Sequence, residues 1–313
     1  MSGEPTVSIP SIPSPPATGV QSQSETHPVR EWRRSRRLKR LGTWFALLFV
    51  AGWAVIAVLP VGIALFSSVK TNTQIIADPL GLPDPLQLEN YGTAWAGPPL
   101  SQPLWLMTLN SVMATGVGLL VGLAVGTIAA YAVSRGKGRV FGFAGRYFVL
   151  LITVPAVVTW IPLFNLASDL RMLSDPAALG LIYGAIVSPT AAVLMRAYFA
   201  SFPLDLIEAA TIDGAGEIRA FWKIVLPMSR GSLVAVALVQ GIQLWNELGL
   251  ANIMLLQPQS RTLPIGLTLF QGQDITDRAG QFASLMIMVA PIVILYLIFD
   301  RRITEGMRLG SLK

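Results

Sequence analysis

Cysteine is absent from this chain of 313 residues, and histidine occurs once, as His27. Without cysteine there is no disulfide framework and no thiolate chemistry, and the redox compartment is not readable. The lone histidine lies in a polar tail, where a solvated side chain is the expected state, so histidine triads and His-rich metal sites are excluded. Charge is scarce too: 13% of residues are Asp, Glu, Lys or Arg, against roughly 25% in soluble domains. No G-x-x-x-x-G-K-[ST] loop occurs, so the chain has no such cradle for nucleotide phosphates. Paired acids inside the apolar stretches are missing as well, which leaves nothing for an intramembrane hydrolase and little for a proton relay. No catalytic residue, cofactor site or metal site is expected, and the chain is not expected to be an enzyme.

What the chain has instead is apolar mass, 53% of its residues. Most of it falls in six stretches near 41–66, 105–133, 141–166, 178–199, 232–256 and 282–299. Each is long enough to cross a hydrocarbon core of ~30 Å as a helix of about 20 residues. Pro155, Pro162 and Pro189 interrupt the third and fourth, which a membrane helix tolerates where neighbours or water re-satisfy the freed carbonyls. The fold class expected is an all-α membrane protein with six transmembrane helices. Residues 1–29 are rich in Pro, Ser, Thr and Gln and are expected to be disordered. The first apolar run begins only at Leu41 and is too long for a secretory signal.

The basic residues set the orientation. With the N-terminus inside, seven Lys/Arg fall in 30–40 and four each in 135–146, 196–230 and 301–313, leaving only Lys70, Arg171, Arg261 and Arg278 outside. Both termini are therefore expected in the cytoplasm, and the net charge of +6 is a topology signal rather than a nucleic-acid footprint. The run at 30–40 anchors the first span, with acidic lipid headgroups as an alternative partner. Outside, about 67–104 carries Pro79, Pro83, Pro85, Pro98, Pro99 and Pro103 and reads as a long stiffened loop, either a docking surface or a plain connector.

Between the fourth and fifth stretches, residues 208–227 read EAATIDGAGEIRAFWKIVLP. Pro203 suits a helix start, with Asp205 and Glu208 favourable near its positive end. Asp213-Gly214-Ala215-Gly216 reads as a turn. Ile218, Phe221, Trp222 and Val225 follow at helical spacing. Leu226-Pro227 marks the bend before the next span. Two short helices folded at a glycine corner beneath the bilayer result, and by physics alone such a hairpin could also simply lie on the lipid.

The spacing Glu208-Ala209-Ala210, three residues, Gly214, nine residues, Ile224, one residue, Leu226-Pro227 resembles the EAA signature of permease subunits of binding-protein-dependent ABC importers. Asn110-Ser111, AAYAVSR (129–135), WNEL (245–248) and TLPIGL (262–267) resemble the carbohydrate-importer branch, with Leu248 where that branch has an aromatic residue, and EGMRLGSLK resembles its C-terminal ending loosely. Over 105–313 the overall likeness is to the maltose-type second permease. The resemblance implies a type I ABC importer permease fold in the cell (plasma or inner) membrane. Its domains are a tail (1–40) ending in the basic anchor, a first span with the outer loop (41–104), and a core permease domain (105–313) holding the EAA coupling loop 200–230. It also implies a second homologous permease as heterodimer partner, two ATP-binding subunits docking at 205–227, and an extracytoplasmic solute-binding protein. Glu208 becomes the charged contact to the ATPase; Ala209 and Ala210 allow close approach; Asp213 and Gly214 make the corner; Ile224, Leu226 and Pro227 seat the hairpin on the bundle.

Glu247 lies sixteen residues past Gly231, ~24 Å along a helix rising 1.5 Å per residue, toward the outer side. Gln240, Gln243 and Asn246 accompany it and Trp245 could stack on a sugar ring, which makes Gln243, Trp245, Asn246 and Glu247 a candidate translocation path. Hydrogen bonding between helices is the alternative. Gly118, Gly122 and Gly126 form a small-residue stripe for close helix packing, or else a hinge. The function expected is an ATP-driven importer subunit for a di- or oligosaccharide. A non-sugar solute such as a glycerol-phosphate-like compound, or an ion-coupled transporter, are the alternatives.

Overall fold

In the computed structural model the described residues are 29–98, 101–271 and 277–310, with side chains described for 43–98, 101–203, 205–271 and 277–299. The polar tail expected at the start, with His27, lies outside them. The chain divides after Val58. The described part of the first unit is all helical and belongs to α1 (Val29–Ser67). Helix therefore already covers the basic run at 30–40, and the apolar span within α1 is Thr43–Ser67. Trp44, Phe45 and Phe49 are exposed, as expected of a helix whose surroundings are lipid.

The second unit begins with a cap. The sequence reading made 67–104 a loop, but α2 (Asn72–Ala77) and α3 (Glu89–Ala96) form there. Thr71 opens α2 with a capping box, accepting from the Gln74 N–H while Gln74 accepts from the Thr71 N–H. The Asn90 amide donates to the carbonyls of Ser68 and Lys70 at 3.0 and 2.8 Å. Lys70 is only 1% exposed, its ammonium donating to the carbonyls of Asp78 and Pro79. Helices of six and eight residues are too short to show a period through six prolines, which is why the segment read as loop.

The centre of the unit is a pair, α4 (Leu104–Arg135) and α7 (Pro176–Ala200). Their glycines interdigitate. A Cβ at Gly118, Gly122 or Gly126 would lie 2.8, 2.6 or 2.6 Å from Tyr183, Val187 or Ala191, and one at Gly180 or Gly184 would meet Val117 or Val121. The stripe is a packing device, and α7 supplies a second stripe that the sequence reading passed over. Asp175 caps α7, accepting from the N–H groups of Ala177 and Ala178, with Pro176 at the first helical position.

Among the described residues four helices qualify as spans outright, and up to six if each of two bent pairs counts as one. The third expected span is the first bent pair. It consists of α5 (Arg139–Thr153) and α6 (Ala156–Asp169), turned by 98° at Val154-Pro155, where proline cannot donate to the ladder. The fifth expected span ends early, at Trp245. The elements that lead to it, α8 (Leu204–Ile212), α9 (Glu217–Ala220), a π turn (Phe221–Val225), α10 (Leu226–Met228) and α11 (Arg230–Trp245), are taken up below. Beyond a break at 246–248 come α12 (Gly249–Met254) and a short α13 (Leu263–Thr268). The last helix, α14 (Arg278–Gly310), contains the sixth expected span.

On the cap side two of the sequence motifs meet. The Asn110 amide donates to the carbonyls of Gln259 and Arg261, and Ser111 Oγ accepts from the Leu263 N–H at 2.8 Å. Asn110-Ser111 therefore holds TLPIGL against the start of α4, where Leu104, Met107, Leu263, Phe270 and Met288 form an apolar cluster.

Candidate functional site

The polar segment between α7 and α11 folds as the sequence suggests, two short helices at a glycine corner. Pro203 precedes α8, which ends at Ile212 with Asp213 as its cap. Gly214 has φ +78°, a left-handed conformation that side chains other than glycine reach only with strain, and the Ala215 N–H returns to the Ala210 carbonyl at 2.9 Å. Gly216 then leads into α9.

The end of the hairpin departs from expectation. Leu226, although it precedes a proline, is helical, with φ −64° and ψ −44°. The backbone makes room for the ring of Pro227 by widening into the π turn Phe221–Val225, whose Leu226 N–H reaches back to the Phe221 carbonyl. The bend of 70° comes two residues later, at Ser229. Ser229 is buried, its hydroxyl donating to the Val225 carbonyl at 2.6 Å, and Tyr198 Oη donates to the Met228 carbonyl at 3.1 Å.

The apolar residues of the hairpin sort onto two faces. Ile207, Ala220, Phe221 and Val225 are buried in one apolar cluster with Phe199 and Phe202. Ile212 is 87% exposed, Ile218 77% and Trp222 55%, so the helical run at 218–225 divides between the bundle and the outside. Glu208, Ala209, Asp213 and Gly214 share the exposed side. Ala210, by contrast, is buried. Ile224, Leu226 and Pro227 are half-buried, with Leu226 packed on the apolar cluster.

One contact was not foreseen. Glu217, first residue of α9, accepts from Tyr131 Oη at 2.8 Å and pairs with Arg135 Nη2 at 3.2 Å. Both donors come from the last turn of α4, four residues apart on one face. The Tyr131 ring also packs on Phe221 and Phe199, with centroids 4.8 and 5.9 Å away. The motif AAYAVSR carried the signal, but nothing in the sequence pairs it with a residue more than 80 positions on. Magnitudes rank the contacts: each fully buried aromatic or aliphatic side chain contributes about 1.5–3 kcal/mol, an exposed ion pair about 0–1. Apolar packing holds the hairpin down; the ion pair does not.

At the outer end the four candidate path residues are not brought to one surface. Trp245 is 9% exposed and donates its indole N–H to the Met288 carbonyl, so its ring is packed and leaves no face for a sugar. Gln243 and Asn246 are exposed, with the Asn246 amide donating back to the Ile242 carbonyl. Glu247 accepts from Tyr183 Oη at 2.6 Å and from the N–H groups of Leu250 and Ala251 at 2.7 and 2.9 Å. It thereby caps α12 and ties it to α7. The space beside it, bordered by Ser111, Thr115, Tyr183 and Thr262, has no room for a water molecule. Gln240 is buried on α11.

Residues 122–309 match the family described as binding-protein-dependent transport system inner membrane component. The chain is 31% identical over 268 residues to the diacetylchitobiose uptake system permease protein NgcG of Streptomyces coelicolor, covering 83% of this chain and 86% of that one. It is 33% identical over 247 residues to the trehalose/maltose transport system permease protein MalG of Thermococcus litoralis, covering 75% and 86%. Among solved structures, a chain of a bacterial ABC transporter involved in the import of the acidic polysaccharide alginate superposes with a TM-score of 0.71 at 21% identity, over 85% of this chain and 97% of that one. That likeness establishes the fold. With described residues whose regular elements are helices, four to six apolar spans among them and a glycine-cornered hairpin between two of those spans, the chain belongs to the inner membrane components of binding-protein-dependent transport systems: it is a multi-pass permease subunit of an ATP-driven importer that works with a substrate-binding protein and with ATP-binding subunits on separate chains.

Proposed function

We propose that this chain is the second, six-span permease of a di- or oligosaccharide importer, paired with a homologous permease. Its termini and hairpin face the cytoplasm, where two ATP-binding subunits dock at 205–227. The observation that carries the docking is the outer face of the hairpin. Glu208 and Asp213 are exposed there with Ile212 and Ile218, the two most exposed isoleucines among the described residues, while the opposite face is packed. A rigid foot with an acidic and apolar sole suits a groove on another protein better than open water. The four basic segments at 30–40, 135–146, 196–230 and 301–313 support its cytoplasmic position.

Mechanically, the ATP-binding subunits change their separation with nucleotide, the foot follows, and the bundle rocks between two states as a rigid body. This requires differential contact free energy in the two states, which only the exposed face can supply. The sugar assignment draws on the relatives named for diacetylchitobiose and for trehalose and maltose. Exposed Gln243 and Asn246 are the polar groups assigned to the path, whereas the Glu247 carboxylate is taken up by the helix break. The test is uptake by vesicles of labelled diacetylchitobiose, trehalose and maltose, with Asp213→Cys on the hairpin as a cross-linking site. Vanadate-sensitive uptake and a cross-link to the ATPase are expected. Uptake that an uncoupler abolishes while ATP stays high, or a hairpin reached only by reagents outside the cell, would refute the proposal.

A further inference from the structure

We infer that Tyr131 and Arg135 form a latch on Glu217 that makes α4 travel with the hairpin, so that motor displacement enters the α4–α7 pair directly as well as α11. The inference rests on the docking reading above and assigns positioning residues that join the hairpin to α4.

Three observations carry it. First, the carboxylate of Glu217 takes both its donors from the last turn of α4, so the start of α9 and the end of α4 are joined at one point. Second, the ion pair is poorly placed for stability. The side chains of Arg135 and Glu217 are 31% and 62% exposed, and such pairs add little to folding. The buried ring of Phe221 on Tyr131 already performs the structural work. A weak, directional, water-accessible contact at the junction of two elements fits transmission of movement better than a role in the fold.

Third, the pair is only half made. Arg135 presents one nitrogen, Nη2, to Glu217, while its Nε is buried without a partner. A guanidinium normally meets a carboxylate through two parallel N–H groups. Beside it lies a cavity of about 30 Å³ bordered by Ser134, Arg135, Phe202 and Ile207. A small shift of α9 against α4 brings the second nitrogen into the pair. The latch thus has a second, tighter position available in the other state of the transporter. From α4 the movement passes to α7 through the interdigitated glycines, where backbones are too close to slide independently.

Because the chain contains no cysteine, introduced pairs report alone from this subunit. Spin labels on Lys137→Cys, just past α4, and Arg219→Cys, on α9, are placed in the full transporter assembled with its partner subunits. Their separation is measured without nucleotide and after trapping with ATP and vanadate. With the latch intact the distance changes by less than ~2 Å, the scale of helix shifts at moving interfaces. In Glu217→Gln combined with Tyr131→Phe it changes by more than that. Exchanging the charges, Arg135→Glu with Glu217→Arg, restores the small change, which a purely steric role would not do. A large change with the latch intact, no change in the double variant, or no rescue by the exchange each overturns the latch. Cross-linking of Asp213→Cys to the ATPase separates the two ideas: if it persists, only the latch falls; if it is missing in the otherwise unaltered chain, the docking reading falls with it. Loss of the cross-link in the double variant alone would mean the contact merely shapes the hairpin, which also overturns the latch.

Discussion

Tyr183 donates its hydroxyl to Glu247 at 2.6 Å, joining the middle of α7 to the break between α11 and α12 through one carboxylate. The same carboxylate caps α12 by accepting from Leu250 and Ala251. It ends α11 at Trp245, eleven residues short of the continuous span the sequence suggested. An acid at this depth satisfied by three donors is a structural joint, and its removal has a calculable effect.

Glu247→Ala leaves two backbone N–H groups and a tyrosine hydroxyl unpaired, at about 1–3 kcal/mol for each that water cannot reach. A lower melting temperature of the detergent-solubilised protein is expected, with Glu247→Gln falling in between because one oxygen remains. Equal melting of all three proteins would show that the joint contributes nothing.

The seam between α4 and α7 should resist any added side chain. Gly122→Val places methyl groups against Val187 and should cost about 1–3 kcal/mol from overpacking, while Gly116→Ala, with nothing within 4 Å of its new Cβ, should be neutral. Yield and thermal stability of the two variants, compared side by side, decide it. The hinge reading of this stripe would instead leave stability alone and alter transport.

On the hairpin, Ile212→Ser changes a side chain that is 87% exposed, so stability should move by no more than about 0.5 kcal/mol. Co-purification of the ATP-binding subunit should nevertheless fall. Gly214→Pro and Glu208→Lys should abolish uptake with membrane insertion intact, since proline cannot take the positive φ of that corner. Normal transport in either would contradict the coupling role.

In the cap, Lys70→Met strips the donor from the carbonyls of Asp78 and Pro79. Losing two hydrogen bonds from the buried ammonium predicts a loss of about 1–3 kcal/mol in all, read as faster protease cleavage within 68–103. Lys70→Arg, which keeps donors, should be cleaved more slowly than Lys70→Met.

Much of this molecule was readable from local pattern. Runs of apolar residues longer than a bilayer is thick located the spans, because no other structure satisfies the backbone in lipid. Asp213-Gly214-Ala215-Gly216 located the corner, because the chain there needs a conformation glycine reaches without strain. The spacing from Glu208 to Pro227 identified the family, and the matching of residues 122–309 agrees with it. The capping box at Thr71 and Gln74 went unread, because the prolines around it obscured the helix.

What depended on the tertiary structure was every choice between two faces and every pairing across distance. Ile207 and Ile212 are chemically identical neighbours on one short helix, yet one is buried and the other exposed, because only one of them meets Phe199 and Phe202. Tyr131 and Glu217 are 86 residues apart, and only the folding of α9 against the end of α4 makes them partners. The sequence by itself determined the number and length of apolar segments, the corner and the family, since these follow from composition and spacing along the chain. Which side of the hairpin is free, where α11 ends and what Glu247 does were decided by packing, because burial and hydrogen bonding depend on neighbours that local pattern cannot name.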